Sequence, residues 1–115
     1  MIRARSFASE LASVRASREF VRDCLEETGV DVDSAVLITS ELATNAIEHA
    51  QSDYQIEVRV DDVVRVELIN DEPEMLPIMV EPHDGRGRGL HLVEALASRW
   101  GTESSAGKKV VWFEL

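Results

Sequence analysis

Cysteine is almost missing from this chain: Cys24 is the only one in 115 residues. One thiol excludes an internal disulfide framework, and with His49, His83 and His91 dispersed it argues against a structural zinc site. Cys24 lies in a helical-looking segment and reads as a small, partly buried side chain in a reducing compartment. Positive charge is scarce as well. Twelve Lys and Arg stand against 22 Asp and Glu, a formal charge of −10. A field of that sign repels phosphate backbones and anionic headgroups, which argues against direct binding of nucleic acid or membranes. It suits a partner protein that carries basic patches. No apolar run reaches transmembrane length, and none follows Arg3 and Arg5 as a signal peptide would require, so a cytoplasmic protein is expected. There is no G-x-x-x-x-G-K-[ST] loop and no G-x-G-x-x-G fingerprint after a strand.

What is present is globular. Hydrophobic residues make up 44% and charged residues 30%. One domain, 1–115, is expected, burying roughly two-thirds of the surface its unfolded chain exposes. Leu11, Val14, Phe20, Val21 and Leu25 recur at helical spacing over Glu10–Glu27, and Gly29 is placed to cap that helix. Asp31, Asp33 or Ser34 then starts a second helix reaching about Ala50. Gln55–Val60 and Val63–Ile69 alternate around Asp61-Asp62, which predicts a hairpin. Asn70 to Asp84 holds all three prolines and reads as an irregular connection. A third helix is expected from about Gly89 to Trp100, closed by Gly101. Lys109–Leu115 reads as a last strand, with Trp100–Glu103 as its partner across a turn at Ser104–Gly107. Early helices with strands paired to sequence neighbours predict an α+β two-layer sandwich, its sheet mainly antiparallel with about five strands and its helices on one face.

Two stretches carry chemistry. On the second helix, Glu41 and Asn45 lie one turn apart, where a carboxylate and an amide can share a cation or a water. The polar side of this helix holds short, ligand-capable groups and no Lys or Arg, with His49 at its edge. A merely solvated face is the commoner explanation for such residues on an arbitrary helix. Downstream, Gly85-Arg86-Gly87-Arg88-Gly89-Leu90 runs straight into Leu92, Val93 and Leu96. Backbone amides at that helix start favour anionic oxygens, and Arg86 and Arg88 add cationic side chains. A flexible surface turn would need the same glycines. Together, in this order, the two stretches suit a magnesium-nucleotide site.

Glu41-Leu42-x-x-Asn45-Ala46-x-x-His49-Ala50, Gly87-Arg88-Gly89-Leu90 and the closing Trp112-Phe113-Glu114-Leu115 resemble the histidine-kinase-like ATPase superfamily with the Bergerat fold. Within it, the chain most resembles the small anti-sigma factor serine kinases and their stand-alone actinobacterial relatives. The resemblance covers nearly the whole chain and implies ATP and Mg2+ as cofactors. It implies that Glu41 polarises an attacking hydroxyl or water, and that Asn45 binds the metal through its amide oxygen. His49 belongs to the same box. Gly87, Arg88, Gly89 and Leu90 would surround the phosphates, with Gly85 hinging a lid between Glu74 and Arg86. The adenine pocket departs from the family pattern. Asn70, followed by Asp71, stands where the family has an aspartate, Glu72 stands at a small residue's place, and Val110 is the expected counterpart of a threonine. Weaker adenine recognition follows from an amide replacing a carboxylate. Implied partners are a sigma factor and an anti-anti-sigma (STAS-type) protein phosphorylated on serine or threonine, with a homodimer as a further family trait. A second reading is an interaction module that keeps the fold but binds nucleotide weakly or not at all.

Overall fold

The computed structural model describes residues 1–71 and 88–115. Among them, β1 (Ile2–Phe7), β2 (Tyr54–Val60), β3 (Val64–Asp71), β4 (Arg99–Ser105) and β5 (Lys108–Glu114) form one antiparallel sheet in the order β1-β2-β3-β5-β4. Helices α1 (Ser13–Leu25), α2 (Val32–Asn45) and α3 (Arg88–Leu96) accompany it, and a π-helical turn over Ala46–Ala50 extends α2.

Strand alternation decides which face the helices cover. Val64, Val66, Leu68 and Asn70 of β3 are buried, as are Tyr54, Ile56 and Val58 of β2 and Val111 and Phe113 of β5. Cross-strand register sets Ile56 opposite Leu68, Leu68 opposite Val111 and Val66 opposite Phe113, so these rows share one face. Phe20, Val21 and Leu25 of α1, Ile38 and Leu42 of α2, and Val93 of α3 close over it. Each fully buried side chain of that size stabilises the fold by roughly 1.5–3 kcal/mol. Phe7 stacks on Tyr54 with ring centroids 5.4 Å apart and meets Phe20 edge-on at 6.0 Å, which fastens β1 to β2 and α1.

The other face of the sheet is polar. Arg65 lies 4.0 Å over the Trp112 ring while its Nε donates to Glu67 Oε2 at 2.8 Å and its Nη1 to Glu114 Oε2 at 3.3 Å. Gly101 is the cross-strand neighbour of Trp112, and the indole lies across it. A Cβ at Gly101 would stand 2.8 Å from that ring.

The expected sandwich is the observed one, with differences at its edges. β1 was not anticipated, because Arg3 and Arg5 occupy its inward row with Phe7. Their guanidinium groups sit 5.5 Å over Phe20 and 5.2 Å over Phe7, so aliphatic stems do what apolar side chains do elsewhere. The first helix begins at Ser13 instead of Glu10. Gly29 does take a positive φ, +83°. The third helix stops at Leu96, four residues short of Trp100, and Gly101 is a strand residue, not a cap. Trp100 pairs with Phe113 and packs on the core from β4, so its apolar periodicity with Val93 and Leu96 was a strand contact misread as helical. The turn between β4 and β5 is tighter than expected, with Ala106 and Gly107 both at positive φ, 53° and 77°.

Asp31 is the residue that starts α2. Its Oδ1 accepts from the Ser34 backbone N–H at 3.1 Å and its Oδ2 from the Ser34 hydroxyl at 2.7 Å. Those bonds hold its carboxyl below the ordinary aspartate value. A lowered folded pKa contributes stability above the unfolded value and loses it as pH falls through the folded one. The stability difference between the parent and Asp31→Ala, from urea unfolding across the acid range, is therefore expected to be constant above the aspartate range and to close below it. Gly101→Ala is expected to destabilise by about 1–3 kcal/mol by displacing Trp112 from its place under Arg65. The same urea titration, with Trp fluorescence as the readout, checks it.

Candidate functional site

The site is assembled at one end of the sandwich by chain connectivity. Ala-, Leu- and Ile-rich spacing buries Ala35, Ile38, Leu42 and Ala43 of α2 against the sheet, leaving Glu41 and Asn45 half-buried on a neighbouring stripe one turn apart. Asn45 is the last α-helical residue. The π-helical turn that follows is closed by the Gln51 N–H donating to Ala46 O at 3.1 Å, with Gln51 at φ +54°. Such wide turns concentrate at functional sites because they re-aim the residues around them. Immediately beyond, Ser52 Oγ donates to Asp71 O at 3.4 Å, so the end of α2 returns beside the end of β3.

At that end of β3, Asn70 is 4% exposed, in the inward row that is otherwise apolar. Asp71 points the other way and accepts from Lys108 Nζ at 2.8 Å. α3 packs on α2 and leads into β4. Its C-terminal end joins β4 through Ala97 and Ser98, where Ser98 N–H donates to Glu114 O at 2.9 Å, at the opposite end of the sheet from Asn70. Val93 of α3 is fully buried in the core. The described residues thus offer a helix N-terminus, a buried amide and a half-buried carboxylate–amide pair on three elements that share one core. That set can receive an anion at the helix start and a polar ring edge at Asn70.

The sequence-expected residues are not all brought together. Glu41 and Asn45 are half-buried on α2, Asn70 and Asp71 end β3 on opposite faces of the sheet, and Arg88, Gly89 and Leu90 form the first turn of α3. His49 is exposed on the π-helical turn with Glu48. Gly85 and Gly87, like the expected lid from Glu74 to Arg86, lie outside the described residues. Val110 does not lie in the row of Asn70. It pairs with Ile69 on the outer side of the sheet, and Lys109 is the residue opposite Asn70. The alternation fixed by buried Val111 and Phe113 carries this signal, and it places Lys109, missed from sequence, across from the buried amide of Asn70.

A histidine kinase-like ATPase domain family model matches residues 7–115, and the chain belongs to that family. Among solved structures, it resembles the RsbU and RsbW domains of Rv1364c from Mycobacterium tuberculosis, with a TM-score of 0.74 and 21% identity. That match covers 99% of this chain and 32% of the other, so the chain spans about a third of that protein's solved length. At this identity the likeness establishes the fold. No curated protein matches the chain. No helix among the described residues is long and apolar enough to cross a membrane.

The facing of β5 generates a direct test. Val110→Thr is expected to leave Mg-ATP affinity unchanged, while Lys109→Glu, which sets a carboxylate opposite Asn70, is expected to weaken it by about 1 kcal/mol or more. Isothermal titration calorimetry on both variants reads this. Equal effects would place the ligand elsewhere.

Proposed function

We infer that this single-domain chain is a cytoplasmic Mg-ATP-dependent protein serine/threonine kinase of the anti-sigma type, acting on an anti-anti-sigma partner and alternately holding a sigma factor. The observation that carries it is Glu41 and Asn45, half-buried one turn apart on α2, together with the buried amide of Asn70 at the end of β3, in a chain of the ATPase family. The donor set suits a magnesium nucleotide. Asn45 offers a hard oxygen, and among the described residues no three His, Cys, Asp or Glu side chains converge as a metal cage. Mg2+ is commonly held by one or two protein oxygens together with phosphate oxygens, so one amide ligand is consistent with that ion. Bound magnesium would neutralise charge on the transferring phosphoryl group. The chain's own residues do the rest. Asn70 hydrogen-bonds the base edge, the α3 N-terminus faces the phosphates, and Glu41 accepts the proton of the incoming hydroxyl. Partner exchange is then a competition between protein surfaces biased by nucleotide state.

Asn70 also favours a second reading, an interaction module with weakened nucleotide binding, since a neutral amide lacks the charge assistance of a carboxylate. Calorimetric titration with Mg-ATP and Mg-ADP separates the two. Asn70→Asp is expected to tighten Mg-ATP by roughly 1–2 kcal/mol. Asn45→Ala should remove the magnesium dependence of binding. Glu41→Ala should spare binding and stop phosphoryl transfer to a serine-bearing partner. The kinase reading fails if wild type, Asn70→Asp and Asn45→Ala all show no ATP binding while a protein partner still binds.

A further inference from the structure

The residue pairs of the sheet line up into rungs that run from strand to strand on its helix-covered face. Val58, Val66 and Phe113 form one rung on β2, β3 and β5, and Ile56, Leu68 and Val111 form the next. Both are apolar and buried. The third rung crosses all five strands as Phe7, Tyr54, Asn70, Lys109 and Ser104, and it changes character halfway. Phe7 stacks on Tyr54, whose hydroxyl is 2.7 Å from Ser13 Oγ. Beyond them Asn70 is buried, Lys109 is half-buried and Ser104 is exposed. Directly opposed residues on antiparallel strands have Cβ atoms about 4.5–5.5 Å apart, so Asn70 and Lys109 can reach one small ligand together.

This polar half of the rung holds no carboxylate. An asparagine amide offers one acceptor oxygen and two N–H donors, a lysine three donors and no acceptor, and a serine hydroxyl serves as either. The balance is on the donor side. Adenine presents its exocyclic N6–H donors beside the N1 acceptor, whereas a 6-oxopurine presents the O6 acceptor beside the N1–H donor. An amide turned through 180° about its last torsion pairs either edge with two hydrogen bonds. A carboxylate accepts from an exocyclic amine but sets negative charge against O6. Lysine widens that difference, because its ammonium bonds O6 and N7 and has nothing with which to accept from an amine.

We propose that Asn70 and Lys109 together set the base specificity of the nucleotide site, admitting 6-oxopurine nucleotides beside adenine nucleotides. This rests on the reading of Asn70 as the residue that meets the base; the choice of base follows from the rung. Asn70 supplies a reversible donor–acceptor pair, and Lys109 across the strands favours the carbonyl. Specificity is a difference between two affinities, so it is read as a ratio in which the shared triphosphate cancels.

Isothermal titration calorimetry of the whole chain with Mg-ATP, magnesium inosine triphosphate and magnesium tripolyphosphate tests this. Inosine triphosphate differs from ATP only at the N1 and C6 edge of the base. Wild type is expected to bind the two nucleotides within about tenfold of each other, and both at least tenfold more tightly than tripolyphosphate. Asn70→Asp should move the ratio about tenfold or more toward ATP. Lys109→Met should move it the same way by about threefold or more, with the urea midpoint at the wild-type value. Should Asn70→Asp not fold, wild type and Lys109→Met decide between the same outcomes. The proposal is overturned if wild type prefers ATP by more than tenfold, if either folded variant keeps the wild-type ratio, or if tripolyphosphate binds as tightly as the nucleotides. ATP binding with inosine triphosphate rejected would remove the proposal and leave the kinase reading. No binding of either nucleotide would remove both.

Discussion

Burial of the inward row of β3 is the constraint on which the rest of the structure depends. β3 is the middle strand, paired on both sides, and its inward residues Val64, Val66 and Leu68 meet apolar neighbours on β2 and β5 in fixed register. A slip of one residue would turn Arg65 and Glu67 into the core and Leu68 out to the polar face, so register is strongly specified. The same row ends in Asn70, where the core gives way to the site. A buried amide continuing an apolar row is costly unless it finds polar company, and this end of the sheet is where the turn after α2 returns, with Ser52 Oγ donating to Asp71 O.

α2 carries two demands at once. Its Ala, Ile and Leu positions must fill the layer over β3, while Glu41 and Asn45 must stay beside that layer, half-buried. Small residues at Ala35, Ala43 and Ala46 let the helix lie close to its neighbours, which keeps its polar stripe near the edge of the sheet. The π-helical turn after Asn45 then widens the backbone and lets the chain turn into β2 through Gln51 in a left-handed conformation. Glu48 and His49 are carried outward with it. The residues that matter for chemistry thus sit before the irregularity, on the regular helix that packing holds in place.

Much of this was legible in the sequence. The β2–β3 hairpin, α2 with its cap among Asp31, Asp33 and Ser34, the final strand and the sandwich itself follow from period-2 and period-3.6 patterns that tertiary packing did not override. The failures share a physical origin in residues that pack without being simply apolar, or that are apolar for another partner. β1 was hidden because Arg3 and Arg5 cover core aromatics with cationic side chains. α3 was overextended because Trp100 is apolar for the sake of Phe113, across a strand pair that local periodicity cannot see. The row of Val110, shared with Ile69, could not be read in advance because a resemblance assigns a position in the chain, whereas the face of a strand depends on its register. The described residues leave the glycine loop before α3 outside this comparison, so the phosphate side of the site was legible as a motif only.

Charge ties these layers together. A chain of net charge −10 in a nucleotide-binding family must present positive groups locally to accept anions. The described structure commits several of its cations to fixed tasks. Arg65 is stacked on Trp112 and bonded to Glu67 and Glu114, and Arg59 is bonded to Glu57 at 2.8 Å. Lys108 is paired with Asp71 at 2.8 Å on the outer face of the sheet. Lys109 stands next to it opposite Asn70, a cation where the family pattern has lost an anion. Register alone thus sets a cation across the strands from the one amide that continues the apolar row of β3, a juxtaposition that neither residue's place in the sequence displays.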